Sequence, residues 1–108
     1  MFKYNNITEL VNIIKMHQTK LRIFKDAYEN TRKQIIRDMN SYDLAELKRI
    51  TENFFIKEEA YRNKVVEVDD LIKKNLTDEL IKLGKSETVT ENGEKVILTE
   101  TAIAQIID

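Results

Sequence analysis

A single histidine and no cysteine bound the chemistry open to this 108-residue chain. Without a thiol there is no disulfide, no thiolate nucleophile and no cysteine-held zinc or iron–sulfur site. One histidine, His17, leaves no His-pair metal site and no Ser-His relay within one chain. It falls on the apolar stripe of a helix between Ile14 and Leu21, where the simpler reading is a half-buried polar residue. A pH switch in an oligomer core is the minority reading.

The acidic residues offer little more. Glu58 sits on an apolar stripe, where a buried carboxylate must find Lys20, Lys25 or Arg62, or stay at the rim. A catalytic acid also needs a second carboxylate or a base in a cleft. Asp69-Asp70 and Asp78-Glu79 are consecutive acids that point apart on a helix, and no calcium-loop spacing with its glycine surrounds them. Asn92-Gly93 reads as a turn, since the glycine spacing and Lys-Ser/Thr of a phosphate loop are missing. No catalytic residue, cofactor site or metal site is assigned, and the chain is read as non-enzymatic.

Binding is the better-supported expectation. Lys15, Arg22, Lys25 and Arg32 line one flank of the first helix together with Gln18 and Glu29, with Lys33 and Arg37 near its end. Such a row could follow a phosphate backbone. It lacks interleaved aromatics, so a solvated flank that pairs with acids is the simpler reading. Away from that flank the same helix carries Ile13, Met16, Ile23 and Ala27 outside its main stripe, and the second helix carries Ile50, Phe55 and Leu71 outside its own. A two-helix hairpin cannot bury both edges by itself, so Ile13, Met16, Ile23, Ala27, Ile50 and Phe55 are expected to meet another subunit or a protein partner.

The elements that position these residues follow from periodicity. The chain is 42% hydrophobic and 34% charged, with 2 Gly and no Pro, a composition suited to long helices. Asn6 followed by Glu9 makes a capping box that opens a first helix running to about Met39. Along it Ile7, Leu10, Ile14, His17, Leu21, Phe24, Tyr28, Thr31 and Ile35 recur in steps of three and four, a heptad seam. Asp43 and Glu46 form a second capping box, and Leu44, Leu47, Thr51, Phe54, Glu58, Tyr61, Val65, Val68 and Ile72 make the second seam. The short break at residues 40–43 predicts an antiparallel, coiled-coil-like hairpin over residues 1–84, kinked near Asn75 and stopped at Gly84.

Residues 85–108 are predicted as a β-hairpin about a two-residue type I′ Asn92-Gly93 turn, then a short helix from Glu100 to Ile107 capped by Thr99. In that register Val89 faces Val96 and Thr88 faces Ile97. A lone two-stranded hairpin is marginal in water, so this region is expected to pack on the same domain or on a neighbouring subunit.

Charge and length complete the expectation. The net charge is −1, but residues 1–40 hold eight Lys/Arg against four Asp/Glu, and residues 41–108 hold ten against fifteen. Opposite signs on consecutive halves favour folding one on the other. No leader pattern opens the chain and no apolar run reaches the ~20 residues of a membrane span, which reads as soluble, cytoplasmic and without a membrane partner. Lys/Ile/Asn-rich usage without Pro, Cys or Trp looks like that of an AT-rich bacterial or bacteriophage genome. The functional expectation is a homo-oligomeric structural, assembly or partner-binding module, such as a phage-encoded inhibitor of a host protein in the host cytoplasm. The alternative is a nucleic-acid-binding oligomer using the basic flank.

Overall fold

The computed structural model describes residues 4–107. Met1, Phe2 and Lys3, part of the segment read above for a leader, and Asp108 lie outside them. The fold is mainly helical, with two long helices and a small three-stranded antiparallel sheet. Helix α1 spans Ile7–Asp38, a three-residue 3-10 turn spans Met39–Ser41, and α2 spans Leu44–Asp70. A π-helical turn, Leu71–Leu76, leads into α3, Thr77–Lys82. The strands are β1 (Glu87–Val89), β2 (Lys95–Leu98) and β3 (Ala104–Ile107).

The helix ends obey local chemistry. Asn6 Oδ1 accepts the Glu9 amide at 2.9 Å, and Asp43 Oδ1 accepts the Glu46 amide at 2.8 Å. Each side chain satisfies an amide that has no partner within the first turn. Glu9 reaches one residue further back than a capping box requires, to the Asn5 amide at 2.8 Å. Gly84, at φ 67°, closes the last helix, its amide bonded to the Ile81 carbonyl.

The chain divides into two compact units, one built from the chain up to Gln18 and from Glu67 onward, the other Thr19–Val66. Every apolar residue buried among the described residues lies in the first unit. Its core is Leu10, Val11 and Ile14 from α1, Leu71 and Leu76 from the π turn, Leu80 from α3, Val96 from β2 and Ala104 from β3. The π turn explains how Leu71, Leu76 and Leu80 reach one core. Five residues separate Leu71 from Leu76, and in an α-helix that step would turn them about 140° apart. The wider π turn takes up the extra residue, and the Thr77 amide bonds back to the Ile72 carbonyl, five residues earlier.

The sheet runs β1-β2-β3, and here the structure corrects two expectations. The segment predicted as a C-terminal helix from Glu100 to Ile107 is instead a turn followed by β3, paired with β2 through Lys95–Ile107, Val96–Ile106, Ile97–Gln105 and Leu98–Ala104. Thr99 closes that turn: its amide donates to the Ile103 carbonyl at 3.0 Å, and its hydroxyl to the same oxygen at 2.9 Å. The first hairpin is also shifted by one residue, with Thr88 opposite Val96 and Val89 opposite Lys95. A type I′ turn needs positive φ at both central residues. Asn92 does not have it; Gly93 does, at φ 88°. The loop is therefore three residues, Glu91-Asn92-Gly93, closed by the Thr90 amide on the Glu94 carbonyl. A one-residue slip exchanges the faces of a strand, and this register turns Thr88 to the side of buried Val96 while leaving Val89 exposed.

The second unit is made of the remaining lengths of α1 and α2. Tyr28 lies between Phe54, 6.1 Å away edge-on, and Tyr61, 5.1 Å away. Lys64 stands 6.0 Å over the Phe24 ring, and Lys57 Nζ donates to Thr31 Oγ1 at 3.1 Å. The Gln34 side chain donates to the Tyr42 hydroxyl at 3.3 Å. Residue numbers thus rise along one helix as they fall along the other.

Candidate interaction surface

Within Thr19–Val66 the helices meet through half-buried rings, and the one buried side chain among them is polar, Thr31. Its hydroxyl turns back to the Ala27 carbonyl at 3.0 Å and accepts from Lys57. Against this thin interior, Ile23, Ile36, Met39, Leu44, Phe55, Ile56 and Val66 all stand exposed, Leu44 by 87%. A shallow hollow of about 540 Å³ opens in the same unit, lined by Gln34, Arg49, Ile50, Glu52, Asn53 and Ile56.

The six residues expected to meet a partner are placed unequally. Ile13 is half-buried and packs against the core of the first unit, where Met16 is 49% exposed. In the second unit Ile23 and Phe55 are each 58% exposed, while Ala27 and Ile50 are half-buried. Ile50 lines the hollow. Sequence reasoning did not single out Ile36 or Ile56, which fall on neither seam nor second edge. Leu44 was expected to open the second seam, but at the first position of α2 it stands exposed instead of packing on α1.

The four residues of the basic flank also divide. Arg22, Lys25 and Arg32 are exposed. Lys15 is drawn into the first unit, its Nζ 3.1 Å from Glu94 Oε2. Thr8, Asn12 and Lys15, one helical stripe, hold the β1–β2 loop onto α1. Thr8 Oγ1 accepts the Glu91 amide at 3.1 Å, Asn12 Oδ1 accepts from the Asn92 side chain at 3.0 Å, and Lys15 takes Glu94. Glu94 is only 8% exposed, and the Thr90 hydroxyl donating to it, followed by Lys15, holds its carboxyl below the usual carboxylate range. This polar stripe was legible in the spacing of residues 8, 12 and 15, but its partners are some eighty residues away.

The remaining titratable candidates have structural surroundings. His17 is buried, with Nδ1 3.5 Å from Glu67 Oε1. Glu58 pairs with Arg62 at 3.0 Å, Asp70 with Lys74 at 3.6 Å, and Glu79 with Lys82 at 3.5 Å. Burial first, then the Glu79 carboxylate that its hydroxyl meets at 3.3 Å, push the Tyr4 phenol up from its ordinary value. Among the described residues no group of three His, Cys, Asp or Glu is placed to hold a metal ion. No helix of the described residues is long and apolar enough to cross a membrane. No protein-family model, curated protein or solved structure matches the chain.

Proposed function

We propose that the protein is a non-enzymatic helical module that works by assembling with itself and by binding a protein partner, a role suited to a small phage-encoded structural or host-inhibiting protein in the host cytoplasm. In this reading α1 and α2 form a long antiparallel, coiled-coil-like hairpin, and residues 19–66 are its working part. One observation carries the reading: this unit has no buried apolar residue of its own yet exposes seven large ones. Helix pairs gain most of their stability from packing an apolar face, so an arm of this kind is completed by whatever covers it.

The test is the native mass by light scattering between about 10 and 200 µM, followed by capture of partners from source-cell lysate. Replacing Met16 and Ile23 together by Glu leaves both predicted seams untouched. The expected result is a folded, helical protein of lower native mass that no longer captures its partner. A wild-type monomer throughout, with the double variant unchanged in fold and binding, overturns the reading.

A second reading, binding of nucleic acid, is favoured by exposed Arg22, Lys25 and Arg32 and by the charge of residues 19–66, eleven Lys and Arg against eight Asp and Glu. It requires a DNA or RNA complex whose affinity falls steeply with salt, whereas apolar self-association responds little.

A further inference from the structure

We infer that the partner covering residues 19–66 is a second copy of this chain, and that the pair forms a four-helix bundle about a two-fold axis passing near Ala27. The inference rests on the assembly reading above and names its contact. Ile23 is an exposed apolar knob on α1, and the hollow containing Ile50 and Ile56 begins beside Gln34 on the same helix. Ile23 and Gln34 are eleven residues apart, which is three turns to within about 20°, so knob and hollow open on one face. Their separation along α1 is about 16 Å, at 1.5 Å per residue.

A face that carries a knob and a hollow side by side is complementary to itself. Rotating a second copy by 180° about a point midway between them seats each Ile23 in the other copy's hollow at the same time, the reciprocal contact that defines a two-fold interface. The midpoint falls near Ala27 on α1. On α2, Ala60 follows Asn53 of the hollow by seven residues, hence on its face. Small side chains at the centre allow the helix pairs to approach closely.

The area agrees with a dimer. Covering two helices from knob to hollow and one turn beyond each end removes roughly 600 Å² per copy, the lower end of a specific interface. Association should therefore be reversible in the micromolar range rather than obligate. The pairing also supplies what the unit lacks, since two helix pairs enclose the apolar interior that one pair leaves open.

Because the chain has no cysteine, single thiols report the contact in the full-length protein. Four variants are made: Ile23→Cys, Ile56→Cys, Ala27→Cys and, as a control in a turn of the first unit, Thr101→Cys. Circular dichroism checks that each keeps its helix content. Mild oxidation of Ile23→Cys mixed with Ile56→Cys should give a disulfide-linked dimer at least tenfold more abundant than either variant alone, or than Ile23→Cys mixed with the control. Ala27→Cys by itself should cross-link efficiently, being close to the axis. Light scattering on the same samples separates the two levels of the argument. A monomer at 200 µM overturns both the assembly reading and this contact. An oligomer whose Ile23–Ile56 cross-link is no stronger than the control overturns this contact alone, and so does a partner protein or nucleic acid found to be required for the cross-link.

Discussion

The Thr77 hydroxyl accepts the Ala104 amide at 2.9 Å while donating to the Ile72 carbonyl, also at 2.9 Å. One side chain thereby joins the π turn of the long second helix to the start of the last strand, within the buried core. The Ala104 amide is a buried donor, and such a group left without an acceptor costs about 1–3 kcal/mol. Thr77→Val keeps the shape but removes the acceptor. We expect it to lower stability by about 2 kcal/mol, a fall in Tm on the order of 10 °C, with Thr77→Ser largely preserving both. Equal melting of the Val variant and the native protein would contradict the bond.

Ala102 adopts φ 60° at the same place in its turn that Gly93 occupies, at φ 88°, in the turn nine residues earlier. Both turns are closed alike, Gly93 bonding to the Thr90 carbonyl and Ala102 to the Thr99 carbonyl. A Cβ in left-handed conformation costs about 1 kcal/mol. Ala102→Gly should therefore stabilise by up to about 1 kcal/mol, reduced by the greater freedom of glycine in the unfolded chain. Gly93→Ala should destabilise by a comparable amount. Urea unfolding of the two variants reads both signs, and a destabilised Ala102→Gly would refute the turn geometry.

Glu94 predicts a pH dependence. Its carboxyl is held below the usual carboxylate range chiefly by the Thr90 hydroxyl and then by Lys15. The ionised form is thus favoured in the folded state. Its stabilisation is complete above the unfolded carboxylate range and is lost as pH falls through that range and the lowered folded one. Unfolding free energy measured from pH 7 down to pH 3 should decline more steeply for the native protein than for Glu94→Gln. Parallel curves would show that Glu94 contributes nothing specific.

In the second unit Tyr28 touches both Phe54 and Tyr61. Aromatic pairs of this kind are worth about 0.5–1.5 kcal/mol beyond their area. A double-mutant cycle of Tyr28→Leu and Phe54→Leu should give a coupling energy in that range. Hydrogen exchange across residues 19–66 should speed up in the single variants while the core around Leu10 and Leu80 keeps its protection. A coupling energy near zero would place the two rings out of contact.

The sequence by itself determined the features that local chemistry controls. Asn6, Asp43 and Gly84 mark helix ends because each acts within one turn of its own position. The heptad spacing likewise announced two long helices, and the surplus of apolar residues such as Ile23 and Phe55 off the seams is visible in the sequence alone. Tertiary structure decided the rest wherever the partner lies far along the chain. Thr99 followed by Ala102, Ile103, Ile106 and Ile107 has the local marks of a capped helix. It becomes a strand because β2 offers its amides and carbonyls, and because alternation turns Ala104 and Ile106 toward the core. The register of β1 was beyond reach for the same reason: Asn92-Gly93 permits a two-residue turn, but Thr8, Asn12 and Lys15 grip a three-residue loop from the other end of the chain. Local preferences of a few tenths to one kcal/mol per residue yield to burial and hydrogen bonding summed over a shared core, and that sum exists only once the distant segments have met.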